Sequence, residues 1–145
     1  MIPQCDIEFV LRKLKKIKRY LSQLQNKVQL SKDAFTADFE QQLIVERLLH
    51  LLIEAAVDIN AHILARNNQP PADTYRDSFI KLGEIGIISP QLAKQLAPAA
   101  GLRNRLVHDY DDIDVTVVYQ AIPFALELLP QYVESVQAYL EKVSA

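Results

Sequence analysis

The sequence predicts an all-α fold, an up-and-down bundle of about five helices. Three observations carry that expectation. Apolar residues recur at steps of three and four over most of the chain. Cap residues and prolines mark the starts and ends of those runs. The one short strand-like stretch, Val115-Thr116-Val117-Val118-Tyr119, has no second strand to pair with.

The first helix is traced by Ile7, Val10, Leu14, Ile17, Leu21, Leu24 and Val28, a narrow stripe suited to lying along another long helix. Ser31-Lys32-Asp33 supplies a turn and a cap. A second, long helix follows, with Phe35, Phe39 and Leu43 at its start and Ala65 at its end. From Leu48 to Ile59 it is apolar on nearly every side, as expected of a central element. Glu46, His50, Glu54, Asp58 and His62 nonetheless recur every fourth residue along it. That stripe either faces water or lines a cleft. Four of these, His50, Glu54, Asp58 and His62, could ligate a metal, since imidazoles and carboxylates do so at helical spacing. With no second ligand cluster elsewhere, a polar network supporting a cleft is preferred, His50 being open to the simpler reading of a satisfied core histidine.

Asn67-Asn68-Gln69-Pro70-Pro71 stops the long helix, because the residue before each proline is driven out of the α region. Asp73 or Thr74 then caps a short helix through Leu82. Gly83 to Ile88 connects to Ser89-Pro90, a cap followed by proline in the first turn. The helix begun there carries Leu92, Leu96, Leu102 and Leu106 and is expected to kink at Pro98. Asp109 to Asp114 reads as an acidic loop. Val115 to Val143 reads as a last helix interrupted at Pro123 and Pro130.

A chain of 145 residues, half of them hydrophobic, is expected to form one domain over 1–145 with a single core. No targeting segment is evident, and the apolar runs are read as too short and too often charged to span a bilayer, which leads to a cytoplasmic, non-membrane expectation. The lone Cys5 excludes an internal disulfide and a cysteine metal cage. The net charge of −2 hides a basic segment: of 16 Lys and Arg residues, eight lie between Arg12 and Lys32, six of them within 12–19. Such a run is either a solvated helix face or a surface for a polyanion, with Arg12, Lys15, Lys16 and Arg19 as the candidate contacts.

Arg103-Asn104-Arg105-Leu106-Val107-His108-Asp109-Tyr110 sets a permanent cation, a near-neutral proton carrier and a phenol where the helical pattern runs out. Arginine and histidine in the last turn of a helix also serve as caps against its terminal carbonyls, and Tyr110 alone would pack its ring at a loop edge. Five residues turn Arg103 and His108 about 140° apart on a continuous helix, whereas Asn104 and His108 share a face. The arginine and histidine therefore meet only if the helix ends near Val107, if the long arginine reaches around, or, most easily, if two copies contribute one each across a two-fold axis.

These segments in order, Pro70 to Phe79, Leu82 to Ile88 and Gly101 to Tyr110, resemble the HepT-like branch of the HEPN superfamily, the toxins of HEPN/MNT (HepT/MntA) pairs. The pattern R-x-x-x-x-H-x-Y is met at Arg103, His108 and Tyr110, with Asn104 as the polar residue after the arginine. Glu54 to Ile63 is similar to that branch's second helix, and the likeness runs from about Ala34 onward. The resemblance implies a HEPN-type homodimer with a composite cleft. It also implies a metal-independent endoribonuclease toxin cutting tRNA or mRNA, with Arg103 and His108 catalytic and Asn104 assisting. It further implies silencing by a MntA-like minimal nucleotidyltransferase antitoxin that transfers AMP from ATP to Tyr110, with no metal or cofactor in the toxin itself. The competing expectations are a non-catalytic helical dimer serving as a nucleotidyltransferase's partner subunit, and a plain helical oligomer whose octapeptide is only a cap.

Overall fold

The computed structural model describes residues 4–108 and 114–144, with side chains over 7–106 and 114–144. Its described residues form seven helices and no strand: α1 (Gln4–Gln25), α2 (Lys32–Ala37), α3 (Phe39–Arg66), α4 (Tyr75–Glu84), α5 (Pro90–Leu96), α6 (Ala99–His108) and α7 (Val115–Ser144). The class is the expected one, and the number grows because two of the five expected helices are each divided.

The first division falls at Asp38, whose extended backbone (φ −118°, ψ 94°) ends α2 while its carboxylate accepts from the Gln41 amide to cap α3. Phe35 and Phe39 are thus separated by a cap rather than joined in one series. Phe35 is buried completely and Phe39 is 69% exposed. The second division falls at Ala97-Pro98, where a kink was expected and α5 stops altogether before α6 begins. Conversely, α7 is not interrupted at Pro123 or Pro130. Each proline removes one amide donor and costs local helix energy, but α7 buries ten residues, from Val118 to Leu140, against its neighbours, and packing outweighs the propensity. The other caps are where the sequence placed them: Ser31, Thr74 and Ser89 accept from Ala34, Asp77 and Leu92 amides.

Helix α1 lies antiparallel along α3: Phe9 stacks on His62, Lys13 pairs with Asp58, and past its end Lys27 donates to Gln41. Val10, Leu14, Ile17 and Leu24 of its stripe are buried, each contributing roughly 1.5–3 kcal/mol of transfer free energy. Arg12, Lys15, Lys16, Lys18 and Arg19 are exposed. Helix α7 runs in the same direction as α3, since Tyr132 bonds Asn60 and Tyr139 bonds Asn67, both at a separation of 72 residues. The short helices α4 to α6 make the return between them, with Leu49, Leu52, Phe79, Leu96, Leu102 and Leu129 around the core they share.

Glycine matters at two places in that return. A Cβ on Gly83 would sit 2.6 Å from the Ala93 Cβ, so α4 and α5 approach this closely only because Gly83 lacks one. Gly86 turns the chain with φ +82°. Contrary to the expectation that every apolar run is too short or too charged, α3 holds an 18-residue window of mean hydropathy 1.5, long and apolar enough to cross a membrane. Of that window, 56% is buried inside the protein, because α3 is the central helix that α1, α4, α6 and α7 all contact.

Candidate nucleic-acid cleft around Arg103

Arg103 sits midway along α6 and is held from two directions. Its Nε donates to Glu54 Oε1 of α3 at 2.5 Å, and its guanidinium carbon lies 4.8 Å from the centroid of the Tyr75 ring, the first residue of α4. A guanidinium carries five N–H donors in one plane. Glu54 accepts from the Nε–H and so restricts rotation within that plane, while the cation–π contact with Tyr75 holds the group over the ring. Among the described residues the four Nη donors have no hydrogen-bond partner, which leaves them for another ligand. Arg103 is 21% exposed and Glu54 28%, so the pair is half-desolvated and stronger than a surface ion pair without being sealed off.

The Tyr75 end of this arrangement is anchored to the core. Tyr132, fully buried on α7, bonds Asn60 Oδ1 at 2.5 Å and the Ala56 carbonyl at 3.0 Å. Asn60 Nδ2 donates to Ser78 Oγ at 3.0 Å, and Ser78 Oγ donates to the Tyr75 carbonyl at 2.7 Å. A buried chain of polar groups thus ties the first turn of α4 to α3 and α7. Burial pushes the Tyr132 phenol well above its usual range, so it remains a donor.

Residues Thr74, Tyr75 and Arg76 on one side and Ala97, Pro98, Ala100, Gly101, Arg103 and Asn104 on the other enclose a cleft of about 640 Å³. Two of the proposed site residues, Arg103 and Asn104, are brought together in it. Helix α6 is described through His108, one residue past Val107, and over that span its backbone keeps Arg103 and His108 about 140° apart. The His108 side chain and the whole of Tyr110 lie outside the described residues.

The polar stripe of α3 divides between two neighbours. A step of four residues advances about 40° around a helix, so from His50 to His62 the stripe turns by about 120°. His50 Nε2 lies 3.4 Å from Glu54 on the α6 side, Asp58 meets Lys13 of α1 at 3.0 Å, and His62 stacks on Phe9 with centroids 3.8 Å apart. His50 is 25% exposed and faces Glu54 and Arg47, so it is not a core histidine. Glu46, half-buried at the start of the stripe, has its carboxyl pushed upward by burial. The four candidate ligands do not converge, and among the described residues no group of three or more His, Cys, Asp or Glu side chains does.

Sequence reading placed Glu54 in a stripe but did not connect it to Arg103, 49 residues away, and gave Tyr75 no role. No local signal links them; only the packing of α4 and α6 on α3 does.

Comparison with known proteins agrees with this architecture. A family model described as "Ribonuclease HepT-like" matches residues 11–136, beginning within α1 and therefore earlier than Ala34. The chain is 50% identical over 128 residues to a "tRNA nuclease HepT" of Aphanizomenon flos-aquae, covering 88% of this chain and 87% of that one. It is 30% identical over 131 residues to an "mRNA nuclease HepT" of Shewanella oneidensis, covering 90% and 98%. Among solved structures, the tri-AMPylated Shewanella oneidensis HEPN toxin in complex with MNT antitoxin superposes with a TM-score of 0.81 at 29% identity, covering 90% of this chain and 97% of that one. With seven helices among its described residues, its Arg103 cleft and a family match over residues 11–136, this chain belongs to the ribonuclease HepT-like family.

Proposed function

We propose that the chain is a cytoplasmic, metal-independent endoribonuclease, the toxin of a toxin–antitoxin pair, and that one domain spanning 1–145 carries the activity. The observation that carries this reading is Arg103: a guanidinium fixed by Glu54 and Tyr75, with its Nη edge unspent, at the wall of an open cleft. RNA brings its own nucleophile. The 2′-oxygen bonds to phosphorus as the P–O5′ bond breaks, the 2′-hydroxyl proton passes to a base, and a proton is delivered to the leaving O5′. His108 supplies proton transfer near neutral pH, Arg103 stabilises the charge growing on the phosphoryl oxygens, and Asn104 orients a phosphate oxygen.

The active form is a homodimer. Phe39 and Leu43, 69% and 51% exposed, share one face of α3 with Arg47, His50 and Glu54, so an apolar patch for a second copy leads directly to the Arg103 anchor. The 140° between Arg103 and His108 favours a cleft composed from both copies. The exposed row Arg12, Lys15, Lys16 and Arg19 tracks the RNA backbone. In the antiparallel register set by Phe9–His62 and Lys13–Asp58, this segment of α1 runs level with the Glu54–Asp58 turn of α3, which supports that reading. A MntA-like nucleotidyltransferase antitoxin silences the site by transferring AMP from ATP to Tyr110, placing a bulky anion beside the cleft; the relative solved in tri-AMPylated form with its MNT antitoxin supports this.

The test is cleavage of tRNA and mRNA by AMP-free protein in chelator. The wild type cleaves and His108→Ala does not; equal inertness of both favours the non-catalytic partner-subunit alternative, for which no structural observation speaks. Incubation with the antitoxin and ATP should raise the intact mass in AMP-sized steps, and Tyr110→Phe should lose at least the first.

A further inference from the structure

The cleft contains a second arginine that the catalytic reading does not use. Arg76 follows Tyr75 in the first turn of α4, is exposed, lines the same cleft as Arg103, and has no ion pair or hydrogen bond among the described residues. Among the described residues, those lining this cleft include two arginines from different helices and no carboxylate. Its remaining wall is Ala97, Pro98, Ala100 and Gly101, and a Cβ added to Gly101 would meet nothing within 4 Å. The space is open, walled by small residues and cationic on two sides. Its volume falls within the roughly 300–1,000 Å³ typical of ligand sites.

Resting on the ribonuclease reading, we propose that Arg76 and Arg103 form a two-cation clamp on successive phosphates of a single RNA strand, with Tyr75 as the positioning residue between them. Arg103 has its Nε occupied and presents only Nη donors, which suits one phosphate; Arg76 has its whole fork for the neighbouring one. Tyr75 connects the two because its ring supports the Arg103 plane while its backbone carries Arg76. The Tyr132–Asn60–Ser78 chain fixes that backbone to the core. Movement of the α4 first turn therefore shifts Arg76 and withdraws the ring that supports Arg103.

The test is binding of a fluorescent 2′-O-methyl RNA oligonucleotide, which lacks the nucleophile and cannot be cleaved, by full-length AMP-free protein over a range of salt. A single-stranded contact contributes about 0.7 to the slope of log K against log salt. Arg76→Ala is expected to weaken binding about tenfold at low salt and to reduce the slope by about 0.7, and Arg103→Ala to do the same, with the double variant losing about 1.4. Tyr75→Leu should weaken binding and lower kcat on cleavable RNA, and Tyr75→Phe, which keeps the ring, should restore both; thermal melts establish that each variant is folded. An unchanged affinity and slope for Arg76→Ala overturns the clamp, as does a Tyr75→Leu variant equal to wild type. Wild-type protein that binds with these slopes yet cleaves no RNA refutes the ribonuclease reading and leaves the clamp standing. Cleavage that persists with Arg76→Ala binding unchanged does the reverse.

Discussion

Two ion pairs sit on consecutive turns of α3, Glu54 with Arg103 and Asp58 with Lys13, and they are alike only in name. Lys13 is a point charge 3.0 Å from a carboxylate that is 44% exposed, with the Phe9 ring 5.4 Å away. It can swing without losing its interaction. Arg103 meets a less exposed carboxylate with one defined nitrogen and lies against a ring that is itself fixed through its backbone to the core. Neither pair is expected to add much stability: an exposed pair contributes about 0–1 kcal/mol, and the closer attraction in the less exposed Arg103–Glu54 pair is offset by the cost of desolvating both charges. They differ in how many degrees of freedom they remove. One dresses a helix interface; the other aims a cation.

The largest expected effect tests the aiming directly. Arg103→Ala should lower kcat/KM for RNA by about 10²–10³ or more, the usual loss of a group that stabilises transition-state charge, and Arg103→Lys should recover little, since an ammonium cannot both hold Glu54 and offer a planar fork. Recovery by lysine in steady-state kinetics would reduce the site to a simple positive charge. Next come the supports in the core. Tyr132→Phe leaves Asn60 Oδ1 without its donor and should cost about 1–3 kcal/mol in urea unfolding. Gly83→Ala, forced against Ala93, should cost a similar 1–3 kcal/mol.

Glu54→Gln keeps an acceptor for Nε but removes the charge, and kcat should fall about tenfold, equal to ~1.4 kcal/mol of transition-state free energy. Asp58→Asn, one turn away, should leave kcat within about twofold and stability within about 1 kcal/mol. Equal effects of the two would erase the distinction between the pairs.

The smallest effect concerns Glu46, at the start of the same stripe, whose carboxyl burial raises above its ordinary value of 4.5. A raised folded-state value means that its contribution is fully present below the unfolded value and is lost as pH rises through the folded one. Glu46→Gln should therefore stabilise the protein at pH 7 by no more than about 0.5 kcal/mol and not at all near pH 4, as read from paired urea titrations.

Much of this was legible in the chain. Ser31, Thr74 and Ser89 cap helices because a side-chain oxygen three residues before an orphan amide is a local device. The α1 stripe buries Leu14, Ile17 and Leu24 because three-four periodicity is local as well. Phe39 misled for a related reason: its apolar side chain continues the pattern, but the Asp38 cap resets the helix and turns it outward. Pro123 and Pro130 misled because propensity is weak against the packing of a 30-residue helix.

The sequence by itself determined the helices, their caps, the basic face of α1 and the R-x-x-x-x-H-x-Y pattern, since each depends on neighbours within a few residues. Only the tertiary structure decided that Glu54 holds Arg103, that Tyr75 lies beneath it, that Arg76 shares its cleft and that Asp58 turns instead to Lys13. The physical reason is the pitch of α3. Residues four apart drift about 40° around the axis, so which of them faces α6 and which faces α1 depends on where those helices dock. Docking is set by the whole buried core, not by any stretch of chain short enough to read.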